Sequence, residues 1–234
     1  NYAGRGGGIH VWRNEQDITI SDSTFVGNST GTCGGGVQLD NNYHLVTFDN
    51  VVFTANHSEN DGGAVCSEVH PFNDKLTVEE VLENPNKTKC GQYECPSDFE
   101  MFNATFSDNT ANDDGAGLYM RLGAATLENV VFYGNDASDE GSAVTVKEDG
   151  YVTLVNTIVS GNDGSPAIYL IPPAADESYM ASLSIDYSNI WGNEDGDFSG
   201  FADPTGANGN ISEDPMFTDP DEGDFTLQAG SPCI

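Results

Sequence analysis

Phe53-Thr54-Ala55-Asn56-His57-Ser58-Glu59-Asn60-Asp61-Gly62-Gly63-Ala64-Val65 contains two elements that recur along the chain in fixed phase. The first is a large apolar residue followed three positions later by asparagine. It stands as Phe25-Val26-Gly27-Asn28, Phe53-Thr54-Ala55-Asn56, Phe106-Ser107-Asp108-Asn109 and Phe132-Tyr133-Gly134-Asn135, with relaxed copies at Val159-Ser160-Gly161-Asn162 and Ile190-Trp191-Gly192-Asn193. The second is a run of small residues ending in an aliphatic one: Gly6-Gly7-Gly8-Ile9, Gly34-Gly35-Gly36-Val37, Gly62-Gly63-Ala64-Val65, Gly115-Ala116-Gly117-Leu118 and Gly141-Ser142-Ala143-Val144. The pairs Asn28–Val37, Asn56–Val65, Asn109–Leu118 and Asn135–Val144 are each nine residues apart, and Asn1–Ile9 is eight.

A short unit repeated at constant phase is the sequence form of a solenoid, in which each unit buries its apolar face only against its neighbours. Between the markers lie Ile18-Thr19-Ile20, Val46-Thr47-Phe48, Ala125-Thr126-Leu127 and Val152-Thr153-Leu154. Their period-two alternation, bounded by Gly, Asn and Asp, reads as half-buried strand. Three strands and three turns per repeat describe a triangular coil, and about six coils spaced about 4.8 Å apart make a rod about 30 Å long. The apolar marker recurs after 28, 53, 26, 27 and 31 residues. The interval of 53 is close to two periods, so the third coil carries an insertion, about residues 67–100. The expected fold is all-β: a right-handed parallel β-helix over 1–200 with this one long insertion, followed by a C-terminal capping segment over 201–234.

Asn28, Asn56, Asn109, Asn135, Asn162 and Asn193 read as a structural ladder. Asparagine tolerates left-handed backbone at a turn, and stacked amides bond to one another between coils. Asn1 fits the same series, so the chain is expected to begin inside a coil whose edge favours end-to-end stacking. The glycines serve turns and close coil contact. None opens a helix with a lysine in the manner of a phosphate loop.

Lys and Arg total 7 against 38 Asp and Glu, a formal charge of −31. Such a surface repels nucleic acid and anionic membranes, and no apolar stretch approaches the roughly 20 residues of a spanning helix. Neither nucleic acid nor membrane insertion is expected. The leading partners are other copies of the chain, surface proteins or glycans.

The paired elements resemble the polymorphic outer membrane protein repeat, in which GGA followed by an aliphatic residue alternates with FxxN. Gly62-Gly63-Ala64-Val65 matches the first literally, and four copies match the second. The stretch Ile211-Ser212-Glu213-Asp214-Pro215-Met216-Phe217, with Asp224-Phe225-Thr226-Leu227 and Gly230-Ser231-Pro232-Cys233-Ile234, is similar to the terminal segment of many secreted bacterial β-helix proteins. The resemblance implies an extracellular or cell-surface β-helix used for adhesion or display. It transfers no catalytic residue.

Three kinds of candidate site remain. Acidic residues precede the small-residue run at Asp61, Asp114 and Glu140, with a looser match at Asp163; stacked turns rich in hard oxygen ligands suit Ca²⁺. Cys66, Cys90 and Cys95 lie at or beside the insertion, apart from Cys33 and Cys233. A disulfide is expected there in preference to zinc, with the pairing open. Sequons at Asn86, Asn103 and Asn210 are candidate glycosylation sites, whereas those at Asn28 and Asn56 coincide with ladder positions that would bury the amide.

For catalysis the chain offers little. Arg5, Arg13, Lys75, Lys87, Lys89, Arg121 and Lys147 read as sharing no repeat phase, and no Ser-His-Asp or HExxH arrangement appears. The expected function is a structural or adhesive extracellular module, part of a larger surface protein or a filament-forming subunit, and not an enzyme. The alternative is a polysaccharide-binding or polysaccharide-degrading β-helix, which a row of exposed aromatics or an acidic and basic cluster along one sheet would favour.

Overall fold

The computed structural model describes residues 1–42, 44–68, 99–171 and 181–234. It is a parallel β-solenoid of about six turns with almost no helix. One side of the coil is formed by Ile9–Trp12, Val37–Asp40, Val65–Glu68, the start of Leu118–Glu128, the start of Val144–Val155, and Ile168–Leu170, each paired in parallel with the next. The second side holds the start of Ile18–Val26, the start of Val46–Thr54, Phe99–Phe102, the later parts of Leu118–Glu128 and Val144–Val155, and Ser182–Asp186. The third side carries the apolar marker, with Phe25, Phe53, Phe106, Phe132, Val159 and Ile190 in one register column. A short five-stranded sheet runs beside it, from Tyr2–Ala3 through Ser29–Thr30, His57–Ser58 and Thr110–Ala111 to Asp136–Ala137.

The column on the third side is a stack of rings. Phe25 and Phe53 lie 4.9 Å apart, Phe53 and Phe106 4.8 Å, and Phe106 and Phe132 4.6 Å, each pair within 17° of parallel. Stacked rings add about 0.5–1.5 kcal/mol per pair beyond their burial. Val37, Leu39, Val65, Leu118, Met120, Val144 and Val146 fill the core from the first side, and Phe48, Phe99, Met101, Leu127 and Leu154 from the second.

Beside the rings runs the asparagine ladder. The amide nitrogen of Asn109 donates to the Asn135 Oδ1 at 2.9 Å and to the Phe53 carbonyl at 3.0 Å, while its Oδ1 accepts from the Asn56 amide nitrogen at 2.9 Å and the Asn56 backbone N–H at 3.0 Å. Asn56, Asn135 and Asn162 repeat this pattern, and the chain of amides runs from Asn1 to Asn193. An amide has two donors and two acceptor sites; at Asn109 every one is used, at 0% exposure. The residue before each ladder asparagine turns the chain at positive φ: Gly27, Ala55, Asp108, Gly134, Gly161 and Gly192.

A second ladder, not anticipated from the repeat, lies on the outer surface at the corner between the second and third sides. Asp22, Asn50, Asn103, Asn129 and Asn156 all stand at positive φ. Asn50 donates to Asp22, Asn129 to Asn103 and Asn156 to Asn129, while Asn103 donates to Asp49. Each stands three residues before the apolar marker, so the fuller repeat is Asn-x-x-apolar-x-x-Asn.

Glycine at the middle of the small-residue run is set by the approach of the next coil. A Cβ on Gly35 would collide with the carbonyl oxygens of Gly63 and His57, and one on Gly63 with that of Thr110.

Glu68 pairs with Arg121, and Phe99 with Ala125, on the single strand Leu118–Glu128. Glu68 and Phe99 therefore flank the corner between the first and second sides of the third coil, a corner that the fourth coil turns through residues 122–124. Leu76-Thr77-Val78-Glu79-Glu80-Val81-Leu82 of the insertion suits a short helix by sequence and lies outside the described residues.

The expected cap divides in two. Residues near Asn208–Ile211 close the last coil, with Asn210 bonding Ser188 and Ile185 and Ile211 bonding Ser188 and Ile190. Beyond them the antiparallel hairpin of Phe217–Asp219 and Asp224–Leu227 lies against the outside of the third side. There Phe217 and Phe225 meet Tyr133 at 6.1 and 5.5 Å.

Asn109→Ala strands the donors and acceptors of two neighbouring coils, at about 1–3 kcal/mol for each buried group left unpaired. We expect a loss of about 3–6 kcal/mol in urea unfolding, against about 1 kcal/mol for Asn156→Ala in the exposed ladder, where water replaces the lost bond. Equal losses at the two positions would show that the buried ladder holds no special place.

Candidate functional site

The turn that precedes each small-residue run stacks on the one before it. Asp113 N–H bonds the Asn60 carbonyl at 3.2 Å, and Asp139 N–H the Asp113 carbonyl at 3.2 Å. Gly62 N–H bonds the Asp114 carbonyl, and Gly115 N–H the Glu140 carbonyl, both at 2.9 Å. These contacts make two adjoining columns, Asn60–Asp113–Asp139 and Asp61–Asp114–Glu140. Five carboxylates are thereby gathered on three successive turns.

Asp114 is the most enclosed of them, 7% exposed, and its Oδ1 is sealed from solvent with no hydrogen-bond donor. Its backbone N–H donates to the Asp61 carboxylate at 3.4 Å. Burial first, then the charges of Asp61, Asp113 and Glu140, push the Asp114 carboxyl up to about 7, with Lys147 opposing them. Burial and the Asp113 charge push Asp61 up to about 6, against the hydrogen bond from Asp114 N–H. The same environment raises the buried Tyr119 phenol, chiefly through desolvation.

Asp163 does not join this group. The sixth coil reaches its aliphatic marker sooner, since Ile168 pairs with Val144, and Asp163 instead forms a bridge with Asp136 of the short five-stranded sheet. Its carboxylate accepts from Gly164 N–H at an exposed position. Its place in the expected calcium column is therefore corrected.

A second polar group occupies the outward positions of the first side. Asp40 pairs with Glu68, Glu68 with Arg121, and Arg121 with Lys147 on successive strands. Arg5 Nη1 lies 2.8 Å and His10 Nε2 3.5 Å from Asp40 Oδ2. The Gln38 amide donates to Glu68 Oε1 at 3.3 Å, and Arg121 Nε lies 2.9 Å from Glu148 Oε2. Asp40 is 0% and Glu68 8% exposed. The basic residues, expected to share no repeat phase, do share one at two positions: Arg121 and Lys147 each stand three residues after the aliphatic marker, as do Asp40 and Glu68, and so fall in one column.

The disulfide joins Cys33 to Cys66, with Cα atoms 5.7 Å apart. Cys33 lies in the phase of Asp61, with which it forms a bridge, while Cys66 sits on the first side of the next coil. Stacking, not nearness in sequence, brings them together, so a cysteine apart from the insertion is the partner of Cys66. Cys90 and Cys95 lie outside the described residues. Cys233 is free and half-buried beside Asn189.

The sequons separate by environment. Asn103 is exposed. Asn210 is 3% exposed, with its amide nitrogen donating to the Ile185 carbonyl and its Oδ1 accepting from Ser188 N–H, so the folded chain offers no glycan acceptor there. Asn86 lies outside the described residues. Among the described residues no helix is long and apolar enough to cross a membrane.

Residues 50–68 match the family model of the Chlamydia polymorphic membrane protein (Chlamydia_PMP) repeat. The matched stretch spans the third side of one coil, its ladder asparagine, the acidic turn and the start of the next first side. It supports, coarsely, part of a surface or outer-membrane-associated protein. No curated protein and no solved structure matches the chain.

Two outcomes follow. Opening the Cys33–Cys66 link, which closes a separation of 33 residues, is expected to lower stability by about 3–4 kcal/mol through freedom returned to the unfolded chain. Urea unfolding of the Cys33→Ser/Cys66→Ser variant measures it, and an unchanged midpoint would show that coil stacking alone holds the two turns. Asp114, whose folded value of about 7 stands above its ordinary 3.8, stabilises the fold while protonated, and that contribution is lost as pH rises through about 7. In chelating buffer the melting temperature should therefore fall from acid to neutral pH, less steeply in Asp114→Asn. Parallel curves for the two proteins would remove Asp114 as the cause.

Proposed function

We propose that this chain is an adhesive or structural β-helical module of a larger extracellular or cell-surface protein. In this reading it forms a rigid rod that displays an inserted segment for contact with other copies, surface proteins or glycans. One observation carries the reading: the coil that matches a surface-protein repeat is also the one interrupted, between Glu68 and Phe99. Long insertions on a rigid scaffold are where recognition concentrates, because the scaffold bears the stability and leaves the loop free to vary. A disulfide between stacked coils accords with an oxidising compartment. The charge of −31 accords with an exposed, soluble surface.

The test compares the chain with a variant in which residues 69–98 are replaced by a short turn of the kind found at 122–124. Both should fold with the same far-ultraviolet dichroism. Reversible self-association in sedimentation velocity, or binding on a glycan array, should belong to the full chain alone. Equal behaviour of the two proteins would overturn the role of the insertion.

A second reading, a polysaccharide-binding or polysaccharide-degrading β-helix, is favoured by the Asp40–Glu68–Arg121–Lys147 column. It sets acidic and basic groups one strand apart on a single outward face. Against it, Arg5 and Glu148 already pair with Asp40 and Arg121. Turnover of any acidic polysaccharide that disappears in Lys147→Met would move the chain to this class.

A further inference from the structure

We propose that Asp113, Asp114 and Asp139 form a Ca²⁺ site that bridges two successive coils on the acidic ridge. The three residues offer one carboxylate oxygen each, all within 4.8 Å of one another. An ion holding oxygens at about 2.3–2.6 Å spans such a group, whereas Mg²⁺, at about 2.0–2.1 Å in a strict octahedron, suits it poorly. Asp114 supplies the independent sign of a missing partner. It is 7% exposed, and its Oδ1 meets neither a donor nor solvent. A buried carboxylate oxygen ordinarily has a hydrogen bond or an ion, and here carboxylate oxygens of Asp113 and Asp139 lie within 4.8 Å of one of Asp114. Asp113 and Asp139 are exposed, so the site opens outward and an ion can enter without the coil unfolding.

The backbone fixes the geometry. Asp139 N–H bonds the Asp113 carbonyl, and Gly115 N–H the Glu140 carbonyl, so the ligands are held by two turns already locked in register. The charge of Lys147 acts on both Asp61 and Asp114, against the five carboxylates gathered on the ridge. The ion would sit between the fourth and fifth coils and tie them together from outside. Extracellular modules bind Ca²⁺ with dissociation constants of about 0.1–1 mM, and that range is expected here.

The experiment is a titration of the whole chain with Ca²⁺ by calorimetry at low ionic strength, and with Tb³⁺ by emission excited through tyrosine. Tyr119 and Tyr169 are close enough to feel the ridge carboxylates. One saturable site is expected, filled by Ca²⁺ in preference to Mg²⁺. Asp114→Asn and Asp139→Asn should each weaken it about tenfold or more, and Asp163→Asn should leave it unchanged. Asp139 is exposed, so its variant keeps the test meaningful should Asp114→Asn fold poorly. No saturable binding at millimolar Ca²⁺ would overturn the proposal. Equal weakening by Asp163→Asn would do the same, by showing only a diffuse attraction of cations to an acidic rod.

Discussion

A buried amide must have all its hydrogen bonds made, and in this protein the neighbouring coils on both sides complete them. Asn56, Asn109, Asn135 and Asn162 each bond the equivalent asparagine one coil on and accept from the one before. A slip of one residue would leave donors and acceptors stranded in a dry core, at a cost larger than any single apolar contact restores. The ladder therefore fixes register, and register fixes nearly everything else. It brings the phenylalanine rings face to face at 4.6–4.9 Å. It also presses coil on coil so closely that Gly35 and Gly63 have no space for a Cβ.

The same repetition treats charge differently. Stacking neutral amides satisfies them, because each has both a donor and an acceptor. Stacking carboxylates sets like charges on neighbouring turns, and burial first, then those charges, raises the proton affinity of Asp61 and Asp114. On the first side the column Asp40, Glu68, Arg121, Lys147 changes sign midway and so is partly self-compensating. The acidic ridge has no such change within its two columns, which sets it apart chemically from the first side.

The solenoid itself was legible because its signals are local and repeated. Phase, period and alternation can be counted on the chain, and the buried ladder follows once the coils are stacked. The outer ladder of Asn50, Asn103, Asn129 and Asn156 carried a signal as regular, three residues before each apolar marker, but one of its members is Asp22, which hides the asparagine pattern. The phase shared by Arg121 and Lys147 could also have been counted, yet it emerges clearly only when the acids Asp40 and Glu68 are placed in the same column. The acidic ridge was half visible: Asp61, Asp114 and Glu140 share a phase, while Asp113 and Asp139, one residue earlier, matter only because their carboxylates turn toward Asp114.

The sequence by itself determined the coil, its number of copies, the place of the insertion and the residues that stack in the core, since each follows from spacing along one dimension. Only the tertiary structure decided which distant residues meet. It joined Cys33 to Cys66 and buried Asn210. It moved Asp163 out of the acidic column, because the sixth coil reaches its aliphatic marker in fewer residues than the others. The physical reason is that stacking adds a second direction, across the coils, in which residues some thirty positions apart become nearest neighbours. A small change in one coil's length then alters every pairing of the turn that contains it.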